Sequence, residues 1–477
     1  MTELREGRLK KYLTGYFPIN LFQAVITLFT LVVFTRVLTP YEYGLYALCT
    51  TGILWAQGFF FQWLILGVGR FVESANHSGE LSEFFSTTYI LFFAFSLAIV
   101  LVSVVLISQT DKLPWLTVCV SALILRSFAQ LRLEMHRNMH RILRFSVLEG
   151  IQSLMTICLG IFLLDIAERP GFAPILGLAI ANLLIIIFDF KDIFYQIERI
   201  LFRKSFFTDL LHYSGPLALS YLLSLILANG DRFLIGIFIN QTEVGHYSAA
   251  YGLADRPISI FFNWVGMATT PLIFIAMQKE GISGALKIME GNVRIFIFLG
   301  FPISAGLAAV ANPLSKVLMG PEFQEETAIL LPWLAIGGLL NGFMAHYLAH
   351  VFLATKRTSA LFWTSAITAI ANILSNLILI PKFGLIGAAW ATIFSYALGV
   401  FLRTWQAKVP IPMPMGDVLK GIFSCVLMVG VVRVLEFSGN AVGVFFSILT
   451  GTLVYSVSAL SLNLIGIREK SLVWLKK

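Results

Sequence analysis

Two adjacent acid–base pairs stand inside long apolar runs: Asp231 and Arg232 in ANGDRFLIG, and Asp255 and Arg256 in YGLADRPISI. Each ionised group costs roughly 2.5–3.5 kcal/mol to place at the centre of a membrane helix, so four in one hairpin carry a penalty on the order of 10 kcal/mol unless paired or wet. With the turn centred near Glu243, Asp231 and Asp255 each lie about twelve residues from it, close to 18 Å along antiparallel helices, which sets all four charges at one depth. Neighbouring helical residues point about 100° apart, so Asp231 cannot neutralise Arg232 on its own face. Two chemistries are open. Cross-hairpin pairing, Asp231 with Arg256 or Arg232 with Asp255, would serve folding alone. Guanidinium groups facing an aqueous cavity would instead hold an anionic substrate group, since arginine's planar fork binds phosphate oxygens bidentately.

Other intramembrane polar residues add to this set. Arg126 in ALILRSFAQL suits a cavity or a snorkel to the inner surface equally. Asn229 is a further cavity candidate, although it and Asn341, Asn372 and Asn376 suit helix–helix hydrogen bonds better. His346 and His350 in HYLAH have the i, i+4 spacing of a metal pair but no third ligand nearby, so no metal site is expected. Cys49, Cys119, Cys158 and Cys425 all fall in apolar runs without paired spacing and read as small buried hydrophobes. Pro18, Pro216, Pro257 and Pro302 stand where they can bend helices. No G-x-x-x-x-G-K loop exists for ATP, and no acidic or extended outer loop exists for a glycosyltransferase or polymerase, so no catalytic residue is assigned.

The elements that position these residues follow from composition. Of 477 residues, 58% are hydrophobic and 13% charged, and the mean hydropathy is +0.84, which describes an all-α polytopic membrane protein. About fourteen spans are expected by the usual window criterion. They lie near 12–35, 44–68, 84–108, 113–131, 146–164, 172–190, 213–239, 245–275, 292–311, 328–353, 359–380, 384–403, 418–435 and 441–465, with SQTDKLP the least secure break. The first span is long enough to stay as an anchor rather than a cleaved signal.

Charge then orients the spans. With the N-terminus inside, roughly 25 Lys and Arg fall on inner segments against about six outside (Arg36, Lys112, Arg169, Lys316, Lys382 and Arg433). An even span number with both termini cytoplasmic follows. The net charge of +8 is thus membrane orientation, not a nucleic-acid signal. The stretch Lys191 to His212 sets Ile193, Ile197, Ile200 and Leu201 on one helical face, predicting an amphipathic surface helix between two halves. The tail REKSLVWLKK has the same character.

The halves repeat. Glu42, Gly44 and Tyr46 in TPYEYGLYAL match Glu243, Gly245 and Tyr247 in QTEVGHYSAA at an offset of about 200 residues, and PILGLAIANLL resembles GLIGAAWATIF more faintly. Six spans separate the matching hairpins, so the repeats should be parallel, as in alternating-access transporters. The expected organisation is an N-lobe at 1–200 (spans one to six), a C-lobe at 201–410 (spans seven to twelve), and an added pair with a cytoplasmic tail at 411–477. These are two pseudo-symmetric six-helix lobes plus two C-terminal helices.

The run LANGDRFLIGIFINQTEVGHYSAAYGLADRP resembles the seventh-to-eighth span signature of Wzx-type polysaccharide flippases, an Asp-Arg-φ-x-x-Gly segment before Val-Gly-x-Tyr-x-x-Ala-Tyr. FTRVLTPYEYGLYAL is similar to that family's Arg-x-Leu-x-Pro-x-x-x-Gly-x-Tyr, here Arg36, Leu38, Pro40, Gly44 and Tyr46. The resemblance implies the two-lobed fold of the multidrug/oligosaccharidyl-lipid/polysaccharide exporters. It also implies passage of a polyprenyl-diphosphate-linked oligosaccharide across the bacterial cytoplasmic membrane by alternating access, for O-antigen, capsule or exopolysaccharide synthesis. On that basis Arg232 and Arg256 would attract the diphosphate or acidic sugars. Asp231 and Asp255 would tune them or take part in coupling to a H+ or Na+ gradient, with no other cofactor. Implied partners are membrane lipids and polysaccharide polymerase machinery, and spans thirteen and fourteen would offer the lipid tail a groove. The first two spans carry Arg36 and Arg70 only near their ends, a departure from lipid II flippases. Alternatives are a cation-coupled small-molecule exporter of the same superfamily and, from another class, a membrane glycan polymerase or glycosyltransferase.

Overall fold

Hydrocarbon offers backbone amides no partner, so apolar sequence crosses it as helix, and every regular element among the described residues is helical. The structure, a computed structural model, describes residues 22–107, 113–167, 169–195, 200–435 and 437–468. The helices are α1 (Phe22–Val37), α2 (Pro40–Phe60), α3 (Gln62–His77), α4 (Leu81–Ile107), α5 (Leu113–Asn138), α6 (Ile142–Phe162), α7 (Ala173–Tyr195) and α8 (Lys204–Phe238). They continue as α9 (Gln241–Ile295), α10 (Phe301–Ala309), α11 (Ala311–Leu318), α12 (Gln324–Phe343), α13 (Ala349–Ala354), α14 (Thr358–Gln406), α15 (Met415–Val434) and α16 (Ala441–Ser461).

Ten helical stretches are long and apolar enough to cross a bilayer by themselves. The fourteen-span reading is recovered because two of those stretches reverse, α2 and α3 form one span bent by 52°, and α1 is a shorter apolar helix. The reversals sit at Gly281 (φ 68°, ψ −156°) and Gly384 (φ 58°, ψ −137°), backbone conformations open to glycine alone. Residues eight apart in a straight helix are about 12 Å apart. Yet a Cβ on Gly387 would come 2.2 Å from the Leu379 carbonyl oxygen, and one on Gly284 3.2 Å from that of Ala276. Across these hairpins Asn372 Nδ2 donates to Ser395 Oγ (3.1 Å), and the rings of Phe262 and Phe296 stack at 4.7 Å.

The chain divides into two compact units: Met1–Thr30 with Tyr41–Gly230, and Leu31–Pro40 with Asp231–Lys477. It passes from one to the other inside α1 and again inside α8, after Thr30 and Gly230, at the same offset of about 200 residues that relates the hairpin motifs. In the first unit α5 packs against α3, α4, α6 and α7, over a core that includes Phe61, Phe84, Phe92 and Phe128. Cys49 neighbours Cys119, and Gln57 lies against Arg126 further along, so α2 and α5 run parallel, as second and fourth spans must. In the second unit α9, α12 and α14 surround Phe262, Phe296 and Phe343, while α15 packs on α10 and α16. Arg36 Nη2 donates to the Val317 carbonyl (2.7 Å), and Thr35 Oγ1 accepts from Gly320 N–H (3.3 Å), gathering ends that the charge pattern assigns to one face.

Three expectations change. The surface helix is absent from the described part of its stretch: residues 191–195 finish α7, residues from Lys204 start α8, and 200–203 are not helical. Hydroxyls explain the strapped path, since Leu201 N–H donates to Ser86 Oγ (2.7 Å) and Arg203 N–H to Thr87 Oγ1 (3.0 Å). Residues 196–199, including Ile197, lie outside the described residues, as do 469–477 of the tail and Pro18. The second span breaks at buried Phe61, where Trp63 Nε1 donates to the Phe60 carbonyl (2.9 Å). Finally, the cysteines are not all buried: Cys158 is exposed, Cys49 and Cys119 are half-buried neighbours, and all four are free thiols.

Candidate functional site

The α8–α9 hairpin turns at Asn240, not Glu243. The Asn240 side chain caps α9 by accepting from Glu243 N–H (2.9 Å), the usual work of an asparagine at a helix N-terminus. The earlier turn sets Asp231 opposite Tyr247 and Arg232 opposite Ser248, sixteen residues on in each case. Asp255 lies two further turns along α9, about 12 Å away. The expectation that four charges meet at one depth is therefore corrected. Asp255 is half-buried and Arg256 exposed, with the Arg256 carbonyl accepting from Ser259 Oγ at 3.3 Å.

Asp231 is 2% exposed. Its Oδ2 accepts from the Tyr247 hydroxyl, and from Thr392 Oγ1 on α14 at 3.4 Å; its Oδ1 has no partner. A polar chain continues in α14: Ser395 Oγ donates to the Thr392 carbonyl (3.0 Å), Asn372 Nδ2 to Ser395 Oγ (3.1 Å), and Asn376 Nδ2 to Asn372 Oδ1 (3.1 Å). Asn376 Oδ1 is also buried without a partner. A buried carboxylate oxygen and a buried amide oxygen thus stand without donors at the two ends of this chain of hydroxyls and amides. The free oxygen of Asp231 suits a proton or a hard cation, whose ligands are oxygens of this kind. Arg232 turns to another face, donating Nε to Ser248 Oγ (3.1 Å) with its guanidinium 5.2 Å above the Tyr251 ring.

In the other unit, Arg126 stands midway along α5 and donates Nε to Oε1 of buried Gln57 at 2.8 Å. Its partner is neutral, and no ion pair to Arg126 occurs among the described residues. Asn229 Nδ2 donates to the Leu225 carbonyl of its own helix (3.1 Å). Asn341 makes no side-chain hydrogen bond among the described residues. His350 is engaged at both nitrogens, with Thr270 Oγ1 at 2.8 Å and the His346 carbonyl at 2.7 Å, so the HYLAH pair is not poised as ligands.

An ion cluster escaped the sequence reading. Arg132, 1% exposed, donates Nε to Asp189 (2.7 Å), Nη2 to Asp192 (3.0 Å) and Nη1 to the Tyr89 hydroxyl (2.5 Å). His136 Nε2 lies 2.9 Å from Asp189, while Arg144 reaches Asp189 (2.7 Å) and Asp192 (3.1 Å) and Arg141 reaches Asp192 (2.8 Å). Ligand atoms of His136, Asp189 and Asp192 lie within 4.8 Å of one another, but the carboxylate oxygens already face guanidinium groups, which a metal would have to displace. The signal was there: Asp189 ends the apolar run LLIIIFDF, and an acid so placed needs a cation.

The helical fold of the described residues is shared with solved structures of membrane transporters, one of them of the MOP superfamily. A lipid II flippase MurJ structure matches at a TM-score of 0.76 and 16% identity, covering 94% of this chain and 98% of that one. A multidrug resistance MATE family transporter of the same superfamily matches at 0.60 and 14%, covering 82% and 94%. Within that fold, residues 33–328 match the model of the polysaccharide biosynthesis protein family, and the chain belongs to that family. Among relatives, a probable low-salt glycan biosynthesis flippase, Agl15, of Haloferax volcanii is 23% identical over 240 residues, 48% of this chain and 49% of its own. A lipid II flippase MurJ of Thermosipho africanus is 25% identical over 197 residues, 40% of each chain. The matched stretch spans about half or less of the length of these relatives.

Proposed function

We propose that this multi-pass membrane protein is a flippase that carries a polyprenyl-diphosphate-linked oligosaccharide from the cytoplasmic to the outer leaflet by alternating access. The observation that carries the reading is the groove between α15 and α16. It holds about 550 Å3 and is lined by Phe423, Leu427, Val431, Leu453, Val454 and Val457, with Ser458, Ser461 and Leu462 at its margin. Both serine hydroxyls are satisfied elsewhere, Ser458 with Ser424 (2.9 Å) and Ser461 with the Val457 carbonyl (2.8 Å), so the wall presented is apolar. That suits an isoprenoid tail and has no use for a small water-soluble solute. Family membership and flippase relatives support the same cargo class.

In this reading Arg232 and Arg256 of the second unit supply cations for the diphosphate, as guanidinium groups do well, and Arg126, within the first unit, offers a further guanidinium whose partner is neutral. Asp231 takes the H+ or Na+ whose gradient drives the cycle, and Asp255 tunes the neighbouring arginines. The chain sits in a bacterial cytoplasmic membrane with both termini inside, and delivers glycan to polymerase machinery for O-antigen, capsule or exopolysaccharide. The test is translocation in proteoliposomes, scored as glycan lipid that becomes accessible to an impermeant reagent. Protein-dependent movement is expected. Folded protein that moves none of several glycan lipids, yet exports cationic dyes, would replace this reading with the small-molecule exporter.

A further inference from the structure

We propose that the recess at the α5–α6 turn binds the phosphate of an anionic phospholipid of the surrounding bilayer. The recess holds about 680 Å3 and is lined by His140, Arg141, Ile142, Leu143, Arg144 and Asp192. Its chemistry follows from the ion cluster beneath it. Three arginines, Arg132, Arg141 and Arg144, face two carboxylates, Asp189 and Asp192, so the cluster keeps positive charge before His136 is counted.

The carboxylates are fully used. Asp189 Oδ1 accepts from His136 and Arg144, and Oδ2 from Arg132; Asp192 Oδ1 accepts from Arg141 and Arg144, and Oδ2 from Arg132 and Arg141. Donors are left over. Arg141 employs only Nη1, and Arg144 only Nη1 and Nη2, so Arg141 Nε and Nη2 and Arg144 Nε have no acceptor among the described residues. Both side chains are 38% exposed, at the mouth of the recess. Buried Asp189 and half-buried Asp192 hold the two guanidinium groups in place, so a third anion meets donors that are already oriented.

The wall beside them names the source of that anion. Leu143, in the lining of the recess, is 78% exposed, and Val147, one turn on, 48%. Apolar side chains bared beside spare arginine N–H groups at a span end match the boundary where acyl chains meet phosphate, and basic pockets between membrane helices recognise anionic head groups there. A free phosphate would gain nothing from Leu143. The inference needs no transport step and stands apart from the cargo proposed above; only its inner-leaflet placement rests on the orientation given there.

The experiment uses the full chain, purified in neutral detergent and supplemented with phosphatidylglycerol, phosphatidylcholine or inorganic phosphate, and reads retained lipid by native mass spectrometry together with Tm. Phosphatidylglycerol should be retained and raise Tm, whereas phosphatidylcholine and phosphate should not. Arg141→Ala, which leaves Asp192 paired with Arg132 and Arg144, should weaken retention about tenfold, equivalent to one charge-assisted contact. Leu143→Glu leaves every arginine in place and should weaken it similarly. Equal retention of the two lipids, or undiminished retention of phosphatidylglycerol in folded Leu143→Glu, overturns the proposal. A Tm rise with inorganic phosphate matching that with phosphatidylglycerol would reassign the recess to free anions.

Discussion

Tyr247 donates its hydroxyl hydrogen to Asp231 across the α8–α9 hairpin, and Thr392 on α14 donates to the same oxygen, so one carboxylate ties three spans of its unit together. The tyrosine is the last residue of the Glu-x-Gly-x-Tyr repeat, which gives that motif a physical task in the second half of the chain.

Asp231→Asn keeps the shape and an acceptor for Tyr247 while removing the negative charge. Folded yield should hold within about twofold, since a neutral amide costs less to bury than an ion. Glycan-lipid movement should lose its dependence on an imposed H+ or Na+ gradient. Gradient-driven transport at the wild-type rate would remove Asp231 from the coupling role. Tyr247→Phe, by contrast, leaves Asp231 short of a donor and should cost about 1–3 kcal/mol of stability.

Arg132→Met strips the buried partner shared by Asp189 and Asp192. Breaking such a pair from one side costs about 3–5 kcal/mol, so a large fall in Tm is expected by fluorescence in detergent. Arg144→Ala, at a side chain 38% exposed, should lower Tm less. The reverse order would show that the cluster is held mainly from its exposed side.

Gly384→Ala forces a side chain into a backbone conformation at φ 58° and ψ −137° and should destabilise the α14 hairpin by about 1–3 kcal/mol. Gly306→Ala is the control, because that helical glycine has open space around it and alanine favours helix by up to about 1 kcal/mol. Thermal unfolding of the two side by side decides the matter; similar Tm values would mean that the turn relaxes.

Leu453→Trp fills part of the α15–α16 groove. Transport of carriers with long isoprenoid tails should fall several-fold, whereas carriers truncated to a few isoprene units should be handled as before. Equal loss for both tail lengths would point to misfolding rather than occlusion of the groove.

Span number was legible because hydrocarbon thickness imposes a length that apolar runs record directly. Hairpin register was not. A single cap at Asn240 in place of a turn at Glu243 exchanged Arg256 for Tyr247 as the partner of Asp231, since a hairpin reading inherits any error in its turn. Arg132 was counted as an inner-loop charge because positive-inside arguments score sidedness and ignore depth, and Asp189 was overlooked at the end of its apolar run. Asn372 was rightly seen as a helix–helix hydrogen-bonding group, whereas Asn376 bonds to Asn372 on its own helix, and the link of Asn372 to Asp231 through Ser395 and Thr392 depends on a contact 161 residues long. No local pattern carries that information.

The break at Phe61 has a mechanical side. A continuous helix resists bending along its whole length, whereas α2 and α3 are two stiff struts meeting at one joint, set at 52° and pinned by the Trp63 indole on the Phe60 carbonyl. Torque on either strut concentrates at that joint instead of spreading down the span. The second span therefore owns a degree of freedom that requires no loop, and its stiffness is set by the Trp63 indole bond, by the backbone bonds that Phe61 still makes to Gln57, Leu64 and Ile65, and by the packing of one phenyl ring.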